Sequence, residues 1–298
     1  MTMIMLTSEA AAVTDLAYRV PAEAAPRTAH RGLRRPSLGK GLGLVLPALL
    51  LVAWEALCRT GIAAPNLLPA PSAVLGLLWK LIATGEIWDH ASITLFRVFA
   101  GFGLGAAVAT LLGALTGYSS TYRRLFDPLL QGLRNIPSLA WVPLFVLWLG
   151  IFEASKIALV AVGVFFPVYL SLMGGVQSVD RKLVEVGRMY RLNGLGLVRR
   201  VLVPATLPSY FIGLRSGLGL GWMFVLAAEF MGASEGLGFL LIDGQMTGRP
   251  AAIIAGILLF AVFGKATDWL LVRAGRSFLA WQDSFEAQAE RDANAARP

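Results

Sequence analysis

EVGRMYRLNGLGLVRRVLVP, from Glu185 to Pro204, is the stretch on which the reading of this chain turns. It lies between apolar runs at about 157–176 and 207–231. Residues 177–206 are too polar to enter hydrocarbon, yet too regular for a linker. Val179, Leu183, Val186 and Tyr190 recur at i, i+4, i+7 and i+11 and share one helical face, while Arg181, Glu185 and Arg188 share another. This spacing predicts a short amphipathic helix. Asn193-Gly194, a pair tolerant of the left-handed backbone, predicts the turn that ends it, and a second short helix is expected to follow and to end near Pro204. Such a charged face is also what plain solvated surface shows, with Arg181 and Glu185 as an i, i+4 pair.

Outward from this segment the chain is strongly apolar. Of its 298 residues 56% are hydrophobic and 15% charged, and its mean hydropathy is +0.67, far from the soluble average. The apolar residues gather at about 41–59, 91–117, 136–152, 157–176, 207–231 and 251–273. Runs of about 18 residues or more cross roughly 30 Å of hydrocarbon as helix, and a helix satisfies its own backbone there. The expected fold is therefore all-α, a polytopic transmembrane bundle of about six spans. The third run is short and holds Pro137 and Pro143, so it is expected to kink or to begin inside the preceding segment.

The net charge of +8 follows the span ends. Arg27, Arg31, Arg34, Arg35 and Lys40 precede the first span. Arg123, Arg124 and Arg134 fall between the second and third, and Arg181, Lys182, Arg188, Arg191, Arg199 and Arg200 between the fourth and fifth. Basic residues near span ends are retained on the cytosolic side, so both termini are expected in the cytosol. The same distribution argues topology and no nucleic-acid partner. Residues 1–40, with Glu9, Asp15 and Glu23, lack the order of a signal peptide and are expected to form a disordered cytosolic tail. Residues 41–275 form the transmembrane domain, with the loop 177–206 inserted, and 276–298 a second cytosolic tail. Cys58, His30 and His90 offer neither an intrachain disulfide nor a metal site.

Gly101 and Gly105, Gly113 and Gly117, and Gly213, Gly217 and Gly221 recur every four residues and predict close helix packing. Six ionisable residues fall inside spans: Glu55, Arg97, Arg215, Glu229, Lys265 and Asp268. A charge in lipid must face the bundle, pair or meet water. Lys265 and Asp268, at i, i+3, are expected to form a structural ion pair. Glu229 has no basic neighbour at i±3 or i±4, so it needs a partner from another helix, a proton, or water in a pathway. Arg97, Arg215 and Glu229 are the candidates for lining a translocation path. No glycine-rich phosphate loop is present: Gly39-Lys40 is followed by Gly41, and Gly264-Lys265 by Ala266.

The segment from Glu185 to Pro204 resembles the signature of ATP-binding-cassette importer permeases: E-A-A, three residues, Gly, nine residues, then I-x-L-P. Glu185, Val201 and Pro204 match in register. Gly187 stands at the second Ala and Arg191 at the Gly, so Asn193-Gly194 is expected to take over the turn. The resemblance extends from about Asn66 to Asp283. LPAPSAV (Leu68 to Val74), IPSLAWVPLFVLWLGIFEASK (Ile136 to Lys156) and AAEFMGASEGLGFLL (Ala227 to Leu241) look like the branch importing aliphatic sulfonates, taurine and nitrate. GQMTGRP (Gly244 to Pro250) and FLAWQDSF (Phe278 to Phe285) look most like aliphatic sulfonate permeases.

The resemblance implies a type I importer permease fold and a coupling loop that docks an ATPase through Glu185, Arg188, Tyr190, Arg191, Asn193, Gly194 and Pro204. It also implies two copies of that ATPase, a periplasmic binding protein, a second copy of this chain, and ATP bound by the partner with no cofactor here. A proton-coupled carrier using Glu229 and Asp268 is the rival from another class, and it leaves the Glu185 to Pro204 spacing unexplained. An intramembrane enzyme would need a cluster of reactive groups that the spans do not hold.

Overall fold

The computed structural model describes residues 39–61, 64 and 67–278. Of the tails expected at 1–40 and 276–298, residues 39–40 begin α1 and 276–278 end α11, while 1–38 and 279–298 lie outside the described residues. The chain divides into two units, Met1–Leu49 and Leu50–Pro298. Of the first, the described part is the start of helix α1, Gly39–Arg59. The following concerns the second unit.

After α1 come α2 (Pro71–Thr84), α3 (Glu86–Tyr118), α4 (Ser120–Asn135), a 3-10 turn at Ser138–Trp141, α5 (Val142–Leu149) and α6 (Glu153–Gln177). Then follow α7 (Arg181–Met189), the single turn α8 (Leu195–Leu197), a π turn at Val198–Leu202, α9 (Val203–Phe230), α10 (Leu237–Met246) and α11 (Pro250–Phe278). No strand occurs among the described residues. Five of the six expected spans fall on single helices, and the third is broken. By length and composition α3, α6, the continuous stretch Leu195–Phe230 and α11 can each cross a membrane, and the pair α4 and α5 makes a fifth candidate.

The third expected span, 136–152, is not one straight helix. α4 and α5 meet at 87°, because Ile136 precedes Pro137 and is driven into an extended backbone (φ −75°, ψ 121°). α5 alone rises about 12 Å, too little to cross. Two short helices, α2 and α10, lie outside the six runs. α2 begins on Pro71, whose missing N–H costs nothing at a helix start.

At the centre, α6 is gripped from two sides. Gly101 and Gly117 of α3 leave room for Val160 and Val176, and a Cβ on Gly101 would lie 2.5 Å from that of Val160. Gly213, Gly217 and Gly221 of α9 meet Ser171, Val168 and Val164 on an adjoining face. Val160, Val164 and Val168 are fully buried as a result. Lipid provides no hydrophobic drive between helices, so close backbone approach and dispersion must hold them. Interhelical hydrogen bonds add to this: Thr110 and Tyr210 hydroxyls lie 2.8 Å apart, joining α3 to α9, and Trp222 Nε1 donates to Thr267 Oγ1 at 2.9 Å, joining α9 to α11.

The connection between α7 and α9 departs from expectation twice. The second short helix does not end near Pro204. It runs through the π turn at Val198–Leu202 into α9, and Pro204, which has no N–H to donate, follows that turn. The turn after α7 is also not handed over to Asn193-Gly194. Arg191 itself takes the left-handed conformation (φ 58°), and Gly194 (φ 51°) makes a second corner.

Candidate functional site

α7 starts at Asp180, whose carboxylate accepts from Lys182 N at 2.9 Å and caps the first turn. It ends in a Schellman motif. Leu192 N donates to Gly187 O at 3.0 Å and Arg191 N to Arg188 O at 2.9 Å, which satisfies carbonyls left over at the helix end. Gly187 is buried against Leu197 and Val201, and a Cβ there would approach Leu197 Cδ1 to 2.7 Å. The glycine standing where the family pattern has alanine thus lets α7 close onto the turn that begins the long helix. On the outer side Leu183, Val186, Met189 and Tyr190 are exposed, the last two at 82% and 79%. Of the apolar face predicted from spacing, Leu183, Val186 and Tyr190 lie on α7 or at its C-cap while Val179 precedes the helix, and nothing among the described residues covers those three. Of the loop residues Glu185, Arg188, Tyr190, Arg191, Asn193, Gly194 and Pro204, all but Pro204 lie on α7 or the corner after it.

A second constellation lies at the opposite end of α9. Glu229 is fully buried and Arg97 of α3 is 2% exposed. Arg97 Nη1 donates to Glu229 Oε1 at 2.7 Å and to Glu235 O at 2.8 Å. Its Nε and Nη2 hold Glu153, the first residue of α6, as a fork at 2.6 and 2.7 Å. Lys156 Nζ donates to Glu153 Oε1 at 2.9 Å, so two cations face two carboxylates and the cluster is neutral. Burial of an ion pair is tolerable only when the remaining lone pairs are satisfied, and they are. Thr94 donates to Glu229 Oε1 at 2.7 Å and Gly238 N to Glu229 Oε2 at 2.7 Å.

These same groups cap α10. Its N-cap is Gly236, which has no side chain to offer. The N–H groups of Gly236, Leu237 and Gly238 are taken by His90 Nδ1 (3.1 Å), Thr94 Oγ1 (2.8 Å) and Glu229 Oε2. A carboxylate at a helix start is also favoured by the helix dipole. The cluster therefore ties α3, α6, α9 and α10 together in one polar knot. Thr94, Glu153 and Lys156 were absent from the sequence-derived site. His90, Thr94 and Arg97 at i, i+4 and i+7 on one face of α3 are the signal that could have found part of it.

The other intramembrane charges are elsewhere. Arg215 is not drawn into this knot: it forks onto Asp268 of α11 at 2.6 and 3.0 Å. The ion pair expected between Lys265 and Asp268 is correspondingly long, 3.8 Å, because the planar guanidinium matches both carboxylate oxygens and the ammonium does not. Glu55 accepts from Arg59 at 2.8 Å and from Ser72 N and Oγ at 3.0 and 2.8 Å, which ties α1 to α2. Among the described residues no group of three or more His, Cys, Asp or Glu is placed to hold a metal.

The long apolar helices are those of a membrane protein, and the uncovered face of α7 leaves room for a partner. Residues 101–278 match the family of binding-protein-dependent transport system inner membrane components. The chain belongs to that family and is a permease subunit of ATP-binding-cassette importers, placed in the membrane. It is 38% identical over 265 residues to the putative aliphatic sulfonates transport permease protein of Bacillus subtilis (strain 168), covering 88% of this chain and 96% of that one. The protein of the same description from Escherichia coli (strain K12) is 36% identical over 240 residues, covering 80% and 91%. The taurine transport system permease protein of the same strain is 30% identical over 239 residues, covering 78% and 87%.

Proposed function

We propose that this chain is the permease of an importer for aliphatic sulfonates. The observation that carries the reading is the difference in likeness: 38% and 36% identity to the two permeases described for aliphatic sulfonates, against 30% to the taurine permease. The test is growth with an alkanesulfonate as sole sulfur source, in a strain stripped of other sulfonate uptake. Deletion of this gene abolishes growth and the gene restores it. Growth unimpaired by the deletion refutes the substrate, and taurine or nitrate uptake then becomes the next assay.

In this reading both termini are cytosolic, α7 faces the cytosol and the Arg97–Glu229 knot lies toward the periplasm. The exposed face of Leu183, Val186, Met189 and Tyr190 docks an ATPase that supplies the nucleotide site this chain lacks, and no cofactor is bound here. Two copies of the permease and two of the ATPase assemble, and a periplasmic binding protein delivers substrate and carries most of the selectivity. The continuous helix from Leu195 to Phe230 has 36 residues, about 54 Å at the helical rise. It links the docking corner directly to Glu229. Closure of the ATPases on ATP swings this lever, and the knot that holds α3, α6, α9 and α10 together is what the outward opening must rearrange. The driving energy is the difference in affinity of the partners for the two states. Uptake that survives ATP depletion and collapses with an uncoupler contradicts this mechanism.

A further inference from the structure

α11 has a face that neither the bundle nor the proposed coupling route uses. From Pro250 to Gly264 it carries no ionisable residue, about 22 Å of apolar helix. Lys265, Trp269, Arg273 and Arg276 then follow at i, i+4, i+8 and i+11, in line with Leu258 and Val262. All six are exposed. Leu258, Ala261, Val262, Lys265, Ala266 and Trp269 form a shallow, open patch along this face, all of it on α11. The Arg273 guanidinium lies over the Trp269 ring, 5.7 Å from its centroid. The nearest acid, Asp268, is held by the fork of Arg215, and Lys265 reaches it only at 3.8 Å. Among the described residues no carboxylate pairs with Arg273 or Arg276.

We propose that this face of α11 binds one anionic glycerophospholipid of the leaflet on the α7 side. The acyl chain lies along Leu258, Val262 and Trp269, and the phosphate sits between Lys265 and Arg273. Charge complementarity selects this occupant. An unbroken apolar stretch followed by a cation, an aromatic ring and two further cations is the order of hydrocarbon, interface and headgroup along a membrane normal. A second copy of the chain related by a two-fold axis along this face would set like charges against each other at low dielectric. The leaflet is fixed by the neighbour of the basic end: Gly275 packs on Phe211, in the half of α9 that leads to the docking corner. The inference does not depend on which substrate is carried.

The full-length permease in phosphatidylcholine bilayers, probed with nitroxide-labelled phosphatidylglycerol and phosphatidylcholine, provides the test. Wild type immobilises the anionic probe preferentially. Lys265→Gln with Arg273→Gln lowers that preference by roughly fivefold per basic side chain, the figure for one cation at an anionic surface. Lys265→Arg with Arg273→Lys retains it, as does Arg199→Gln with Arg200→Gln, which removes equal charge elsewhere. Unchanged preference in the Gln pair overturns the proposal. So does a nitroxide at Val262→Cys, in a Cys58→Ser background, that is shielded from lipid-dissolved oxygen, because a second copy then covers the face.

Discussion

Arg97 and Glu229 lie 132 positions apart in sequence and 2.7 Å apart in space, both buried, with the guanidinium spanning from α9 to the first residue of α6. Neither charge has water to fall back on. Removing one partner of such a pair leaves the other unpaired and costs about 3–5 kcal/mol. Glu229→Ala is expected to lower the unfolding temperature of the purified permease sharply. Glu229→Gln keeps the shape and an oxygen for Gly238 N, so it should still assemble with the ATPase while changing transport or resting ATPase activity. Wild-type values for both activities would remove the knot from the mechanism.

Gly236 and Gly238 are required by the same knot. At Gly236 (φ 123°) a Cβ would lie 2.6 Å from Glu229 Oε1 and 2.7 Å from Arg97 Nη1, and at Gly238 2.8 Å from Glu229 Oε2. Alanine at either position is expected to destabilise by about 1–3 kcal/mol through forced displacement, with a further cost of backbone strain at Gly236. Gly219→Ala, which meets open space in mid-helix, is the control and should be neutral or slightly stabilising. Thermal unfolding of the three variants in one detergent checks the order.

Arg191 holds a left-handed backbone that suits glycine. Arg191→Gly should therefore stabilise the corner by about 1 kcal/mol, and Arg191→Val should weaken it further than the native residue does. If the side chain serves only this geometry, the glycine variant binds the ATPase as well as wild type. A tenfold loss of ATPase affinity in Arg191→Gly, with the permease still folded, would instead assign the guanidinium a direct contact.

Met189 and Tyr190 contribute little to the fold because they are exposed. Met189→Asp and Tyr190→Asp should change permease stability by no more than about 0.5 kcal/mol, yet prevent copurification of the ATPase. Retained copurification at wild-type yield would move the docking surface elsewhere.

Much of this was legible in sequence because it is local. Apolar runs fixed where helices form, the i, i+4, i+7 spacing in 177–206 fixed the exposed face of α7, and Pro137 marked the break in the third span. The turn was misread at Asn193-Gly194 for a definite reason. Composition ranks which residues favour a left-handed backbone, but the hydrogen bonds from Leu192 to Gly187 and Arg191 to Arg188 decide which residue must adopt it. Lys265 and Asp268, neighbours on one helix, do pair as their spacing predicts, at 3.8 Å. Arg215, distant in sequence, fits both oxygens better.

In the loop from Glu185 to Pro204, spacing determined a short amphipathic helix, since periodicity acts over a few residues, and the resemblance of its motif to importer permeases pointed to the class. What only the tertiary structure decided is where the far end of that loop's helix leads. Leu195 to Phe230 is one lever that ends on Glu229, and the partners of that carboxylate come from α3 and α10. No local pattern encodes such a meeting, because a buried charge is satisfied by whichever groups the packing of separate helices delivers to it.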